Sequence, residues 1–302
     1  MTIKTGFGDQ PAVPSINRET CTVCGMCARV CKGETIDMVD GEIRIDFNST
    51  FGCLGCGQCM MACPTGSMTV TGRDISPDDL LDLPPLAQTA GSEQLQALLL
   101  ARRSVREYSQ REVEKETVDK VLEIASTAPM GIPPSDVGVL ALHGRDKVQE
   151  FAEDIVGLYG GVRKFANPIV AALMRPFVGK EMIEAFKTLI IPLANCLIEK
   201  RAEGVDWLFF DAPVALVFHA SPYADSADSI IAATYAMIAA ESLGLGSCMN
   251  GCVAPALQRS KKVMAKYDIP ERNRVGIALA LGYPNLEYRW AVRRRFASVS
   301  YV

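Results

Sequence analysis

No stretch of the 302 residues is long and apolar enough to span a membrane: the uncharged apolar segments Thr188 to Ile198 and Ser229 to Ala240 fall well short of the roughly 20 residues required. No apolar run follows a basic start, so no secretory leader is expected, and the chain reads as a soluble protein of a reducing cytoplasm. Charge of one sign is lacking too, with 31 basic against 35 acidic residues, and neither a nucleic-acid nor a membrane partner is expected. Histidine is scarce: only His143 and His219 occur, each closing an apolar strand-like run where a structural role is expected. No side chain stands out as a catalytic acid. The G-x-G-x-x-G fingerprint is missing as well. The glycines of "GLGSCMNG" follow a helical run instead of opening a helix after a strand, so Gly244 reads as a C-cap and no Rossmann domain is expected.

Cysteine, by contrast, is plentiful, with eleven in the chain. In a reducing compartment that number argues against a disulfide framework and for metal or redox use. Eight of them form two copies of one pattern, "CTVCGMCARVC" from Cys21 to Cys31 and "CLGCGQCMMACP" from Cys53 to Pro64. At this cysteine frequency one such group arises by chance in about one chain of two thousand, so two copies are not accidental. Zinc is the competing reading, but zinc sites usually pair two CxxC knuckles across a longer gap and need only four ligands. The C-x2-C-x2-C-x3-C run is similar to that of bacterial two-cluster ferredoxins, whose fourth cysteine crosses to the other cluster. That resemblance implies one 4Fe-4S cluster on Cys21, Cys24, Cys27 and Cys63, and a second on Cys53, Cys56, Cys59 and Cys31. Pro64 follows the second group as the pattern has it, whereas Lys32 follows the first. A lysine there is either a solvated surface residue or a charge that raises the potential of a nearby cluster.

Around the cysteines, "EIRIDF" (Glu42 to Phe47) and, more weakly, "SMTVTG" (Ser67 to Gly72) alternate as short strands do. Through Leu83 the chain carries six basic and eleven acidic residues, a surface that is either simply solvated or suited to a basic redox partner. "PDDLLDLPPLAQTAGSE" then reads as an interdomain linker. A helix is expected from Ser92, with Ser92 as N-cap and Leu95, Leu98 and Leu99 on one face. It leads into "ARRSVREY" (Arg102, Arg103, Ser104, Arg106), and the far end of the chain holds "YRWAVRRRF" (Arg289, Arg293, Arg294, Arg295). Two arginine concentrations so far apart suggest that both ends fold onto one anion, since guanidinium forks fit a phosphate bidentately and a serine hydroxyl adds a hydrogen bond.

From here nearly the whole chain resembles the FMN-dependent nitroreductases, in the branch with an N-terminal ferredoxin domain. The residues that carry the resemblance are "RRSVR", "APM" (Ala128 to Met130), "DAPVALVFHA" (Asp211 to Ala220), "ESLGLGSCMNG" (Glu241 to Gly251) and "VRRRF". It implies an α+β fold: a two-cluster ferredoxin-like domain over residues 1–83, a linker at 84–91, and an FMN domain at 92–302 with a central, mainly antiparallel sheet surrounded by helices. It further implies a homodimer. FMN phosphate would meet Arg102, Arg103, Arg106, Arg293 and Arg295, with Ser104 near the ring or ribityl chain and the backbone of Asn250 and Gly251 at the reactive edge. Pro129 and Met130 open the loop that contacts flavin in the family, but "APMGIPPSDVGVLAL" departs from the usual continuation at Met130, Pro133, Ser135, Asp136 and Val137, and its prolines suit either a pocket wall or a structural turn. The stretch Gly179 to Phe210 reads as helical until Pro192 and then resumes with an apolar face of Leu193, Leu197 and Ile198. Met174, Met182, Phe186 and Trp207 line a substrate pocket or belong to the core, and Cys196, Cys248 and Cys252 are expected to pack as small apolar residues. The function implied is a relay in which two clusters pass single electrons to FMN, which reduces a small organic acceptor carrying a nitro, ene or related group. The alternative is a module passing electrons between flavin and a ferredoxin or other redox protein. The electron donor (NADH, NADPH or ferredoxin) stays open.

Overall fold

The computed structural model describes residues 12–50, 52–73, 75–131, 136–161, 179–181 and 183–302. The expectations for Pro133, Ser135, Met174 and Met182 fall outside these. The described residues form two compact units, the first drawing on Met1–Thr89, Pro129–Gly138 and Ala220–Asp228, the second on Ala90–Ala128, Val139–His219 and Ser229–Val302.

In the first unit two antiparallel ribbons flank two short helices. Strand β1 (Val13–Ile16) pairs with β4 (Met68–Thr71), and β2 (Ile36–Val39) with β3 (Glu42–Ile45). Asp40 and Gly41, at φ 52° and 80°, join β2 to β3. Both lie in the left-handed region a two-residue hairpin loop of matching twist requires. Helices α1 (Met26–Val30) and α2 (Gln58–Met61) each start from a left-handed glycine, Gly25 and Gly57. The core is small and includes cysteine: Cys27 and Cys59 are buried among Ala12, Ile36, Ile43, Met60, Met68 and Val70.

In the second unit lies most of a four-stranded sheet with the order β5 (Val137–His143), β6 (Val214–Ala220), β8 (Arg274–Gly282), β7 (Gly246–Asn250), with β7 and β8 antiparallel. Every residue of β6 is buried. That is the reason its sequence, VALVFHA, shows no alternation: an interior strand covered on both faces has no solvent side. Helices α3 (Ser92–Ala101), α4 (Lys115–Ala125), α5 (Arg145–Gly160), α6 (Ile191–Ala202), α7 (Asp228–Ser242), α8 (Val253–Leu257) and α9 (Lys261–Lys266) complete the fold. Helix α5 anchors the core through Phe151, whose ring meets Tyr267 edge-on at 4.8 Å and Phe209 at 6.0 Å.

Two local expectations differ from the structure and a third holds. Helix α3 does start at Ser92, but Gly91 occupies the cap, its N–H donating to Gln94 Oε1 at 2.8 Å, and none of the leucines on the helix is buried. Pro192 does not break its helix, because a π-turn over Phe186–Ile190 runs straight into α6 and loosens the backbone one turn ahead of the ring. Gly244, at φ 76°, closes α7 as expected: its N–H donates to Glu241 O and that of Leu245 to Ala240 O, the paired bonds of a Schellman cap.

Candidate functional site

The cysteine loops repeat in conformation as well as in spacing. Val23 and Gly55, third in their motifs, both have positive φ (54° and 68°), and Gly25 and Gly57, fifth, do so again (74° and 70°). A left-handed Val costs on the order of 1–2 kcal/mol relative to its usual basins. That cost is tolerated where the loop must wrap its thiols inward. In each loop one thiol is exposed (Cys24, Cys56) and one is buried (Cys27, Cys59).

One cavity gathers thiols from both motifs. Cys31, from the first motif, lines a cavity of about 520 Å³ together with Cys53, Cys56 and Cys59 from the second. Burial pushes the Cys59 thiol up to about 12, and the neighbouring Cys53, Cys56 and Cys31 add to the effect. In the other set, burial raises Cys27, and Cys63 and Cys21 push the same way. Burial alone would raise Cys63 as well, but hydrogen bonds from Thr65, Met68 and Ser67 outweigh it and draw that thiol down. Among the described residues no group of three or more His, Cys, Asp or Glu closes on a single ion. The Cys31 set surrounds a volume instead of a point, so its donor chemistry fits a polynuclear iron-sulfur cluster better than one tetrahedral zinc.

In the second unit "RRSVR" is laid along the sheet edge. The Val105 N–H donates to Ser247 O at 2.9 Å, and Ser104 pairs with Ser247 as a parallel bridge. This approach depends on Gly246, where a Cβ would stand 2.6–2.9 Å from three atoms of Val105. The Tyr108 hydroxyl donates to Val105 O at 2.9 Å and pins the segment from its other side. The arginines divide between two cavities. Arg102 and Arg103 line one of about 580 Å³ with Leu95, Leu99 and Arg294, whereas Arg293 and Arg295 are exposed and do not line it. Burial raises the Glu241 carboxyl while Arg102 and Arg103 oppose that rise, which places both guanidinium groups near α7.

Arg106 lies instead over the Phe210 ring, 5.9 Å from its centroid, and lines a second cavity of about 660 Å³ with Leu193, Leu197, Trp207, Asn250 and Gly251. Cys248 and Cys252 share that cavity; burial raises both thiols, with Arg106 opposing at Cys248. The Asn250 amide is spent on architecture, donating to Leu208 O at 2.6 Å and accepting from the Cys252 N–H at 2.8 Å. Residues that sequence reasoning missed build the facing wall. The buried Asp206 carboxylate accepts from the N–H groups of Leu208, Phe209 and Asp211 and from Gln149, holding a turn in which Phe210 and Asp211 are both left-handed. Consecutive left-handed non-glycine residues are held strain, and here they present Trp207 and Phe210 to the cavity. Pro129 and Met130 belong to the other unit, where Gly131 stands so close to Asp228 that a Cβ would lie 2.9 Å from its carboxylate. Asp136 accepts from the Ser221 hydroxyl in the same unit.

The nitroreductase family pattern matches residues 99–283, well over half of the chain. The chain belongs to the nitroreductase family. A 4Fe-4S dicluster domain matches residues 20–67, the segment that holds all eight motif cysteines. This nitroreductase-family oxidoreductase is 26% identical over 218 residues to a 4-nitrobenzoate reductase of Nocardioides sp. (strain LMS-CY), covering 68% of this chain and 86% of that one. It is 26% identical over 183 residues to a Methanothermobacter thermautotrophicus protein named for NADH dehydrogenase and NAD(P)H nitroreductase activity, covering 61% and 73%. Among solved structures, a Desulfitobacterium hafniense nitroreductase with bound FMN aligns at a TM-score of 0.51 with 19% identity, covering 69% of this chain and 97% of that one. The likeness is one of fold: helices around a largely antiparallel sheet. Among the described residues no helix is long and apolar enough to cross a membrane.

Proposed function

We propose that this nitroreductase-family protein is an FMN-dependent iron-sulfur oxidoreductase that reduces a small organic acceptor bearing a nitro, ene or related group. When bound, two 4Fe-4S clusters would supply single electrons and FMN would convert them into substrate reduction. The observation that carries the reading is the crossed thiol set, Cys31 lining one cavity with Cys53, Cys56 and Cys59, in a chain of this family. Cys21, Cys24, Cys27 and Cys63 would hold the first cluster.

Arg102 and Arg103 would meet the flavin phosphate together with Arg294, which lines the same cavity, and Ser104 would stand by the ribityl chain. Arg106, with Asn250 and Gly251, would face the ring, where a guanidinium favours charge developing on a reduced flavin. Leu193, Leu197 and Trp207 would exclude water. A homodimer in the cytoplasm completes the reading. Its support is the unburied face of α3 and the exposed tail, with Trp290 at 86% and Phe296 at 86% of full exposure. The names of the curated relatives support nitro compounds and a pyridine nucleotide as first substrates to try, and a ferredoxin as the other donor.

The test is anaerobic absorbance of protein of known iron, sulfide and flavin content during separate additions of NADH, NADPH and reduced ferredoxin. Flavin bleaching followed by reoxidation with 4-nitrobenzoate is the expected outcome. Protein purified without iron or without flavin overturns the proposal.

A further inference from the structure

The two thiol sets are matched in most of what tunes a cluster. Each has one exposed and one buried thiol, each wraps its loop through the same left-handed positions, and each has a backbone N–H near its first cysteine, Val23 on Cys21 and Gly55 on Cys53. They differ in charge. Arg29 and Lys32 line the cavity of the Cys31 set, and no carboxylate is among its described lining residues. Arg73 stands beside the same set, donating to Leu54 O at 3.4 Å. The other set has an additional neutral group, the Thr65 hydroxyl 3.7 Å from Cys63. The pseudo-symmetry makes the contrast sharp at one position. Lys32 directly follows Cys31, and its counterpart after Cys63 is Pro64; both are exposed. Net charge and hydrogen bonding are the main protein controls on cluster potential, and full cations outweigh one neutral hydroxyl.

We propose that Lys32, with Arg29 and Arg73, makes the Cys31, Cys53, Cys56 and Cys59 site the electron-accepting member of the pair. One electron leaving the other site reduces this one, the first being oxidised and the second reduced by one unit with no proton moved. Lys32 acts through the field at the thiolates and is not itself a ligand. The inference rests on the two-cluster reading above.

The experiment is a reductive titration of the full-length, cluster-loaded protein with dithionite and mediators, followed by low-temperature electron paramagnetic resonance of the reduced clusters. Two resolved midpoints are expected. Lys32→Gln should lower the higher midpoint by the equivalent of about a tenfold change in the reduced-to-oxidised ratio, ~59 mV for one electron, and leave the lower midpoint in place. Pro64→Lys should raise the lower midpoint by a similar amount. Both shifts should shrink in strong salt, because these side chains face water. Arg73→Gln provides the same test should Lys32→Gln fail to load iron. Coincident midpoints in the unaltered protein, a Lys32→Gln shift in the lower midpoint, or no shift at all would overturn the assignment while leaving the two-cluster reading intact. An iron content of one cluster per chain would remove the reading on which it rests.

Discussion

Asp206 offers the most exacting test of how the second unit shapes its cavity. Its Oδ1 accepts from the N–H groups of Leu208 and Phe209, both at 3.0 Å, and its Oδ2 from Gln149 at 3.0 Å and from the Asp211 N–H at 3.2 Å. Leu208 and Phe209 are almost completely buried, so Asp206→Ala leaves two donors that water does not reach. At roughly 1–3 kcal/mol for each orphaned buried donor, the loss comes to about 2–5 kcal/mol. Asp206→Asn keeps Oδ1 for Leu208 and Phe209 but turns an amide N–H₂ toward two donors, and about half that loss is expected. Only two tryptophans are present, Trp207 and Trp290. In a Trp290→Phe background, Trp207 fluorescence therefore reports the cavity wall alone during urea unfolding. The expected order of midpoints is native, then Asp206→Asn, then Asp206→Ala, with weaker FMN binding in the same order. An Asp206→Ala protein within about 0.5 kcal/mol of native, the range of an ordinary surface substitution, would refute the argument that this carboxylate holds the turn.

Gly246→Ala should cost about 1–3 kcal/mol through overpacking against Val105, and should weaken flavin binding because the arginine segment is displaced with it; thermal unfolding and flavin fluorescence titration would show both. Cys31→Ala should abolish the midpoint that Lys32→Gln shifts although Cys21, Cys24 and Cys27 are intact, whereas loss of the other midpoint would mean that the sets do not cross. Burial depresses the His219 pKa below 6.5, so below that pH the unfolded chain takes up a proton that the folded chain resists. Stability should therefore fall as pH drops beneath 6.5, and His219→Gln should flatten that slope in urea titrations at pH 5 to 7. Removing residues 288–302 should shift the sedimenting species from dimer to monomer and release flavin.

The cysteine motifs were legible because three thiols of each proposed set lie within one short loop, whereas the fourth, from the other motif, followed only from the resemblance to ferredoxins. The strands of Glu42–Ile45 and Met68–Thr71 showed through their alternation, but their partners did not. Val13–Ile16 contains a proline, and Ile36–Val39 is too short for a period of two to register. The division of Arg106 from Arg102 and Arg103 was hidden for a different reason. An extended segment advances about 3.3 Å per residue, so charges three positions apart lie roughly 10 Å apart and can face different cavities. Asp206 gave no signal at all, because a carboxylate in "GVDWLFFD" looks like any solvated acid until Gln149 and three N–H groups close around it. Pro192 pointed toward a break where the backbone inserted a π-turn instead.

Among the described residues the fully buried core cluster around the cysteine loops consists of Ala12, Ile36, Ile43, Met60, Met68, Val70 and two of the ligand candidates, Cys27 and Cys59, with Ile16, Val30, Ile45 and Ile75 packed against it. So little apolar volume gives a domain of this size scant stability of its own, and in small metalloproteins binding free energy and folding free energy are the same quantity. On the proposed reading, iron supply and chain maturation are then one event. A molecule that loses its clusters to oxidation loses the interior that holds its hairpins together, and it becomes a substrate for proteolysis before it becomes a defective electron carrier.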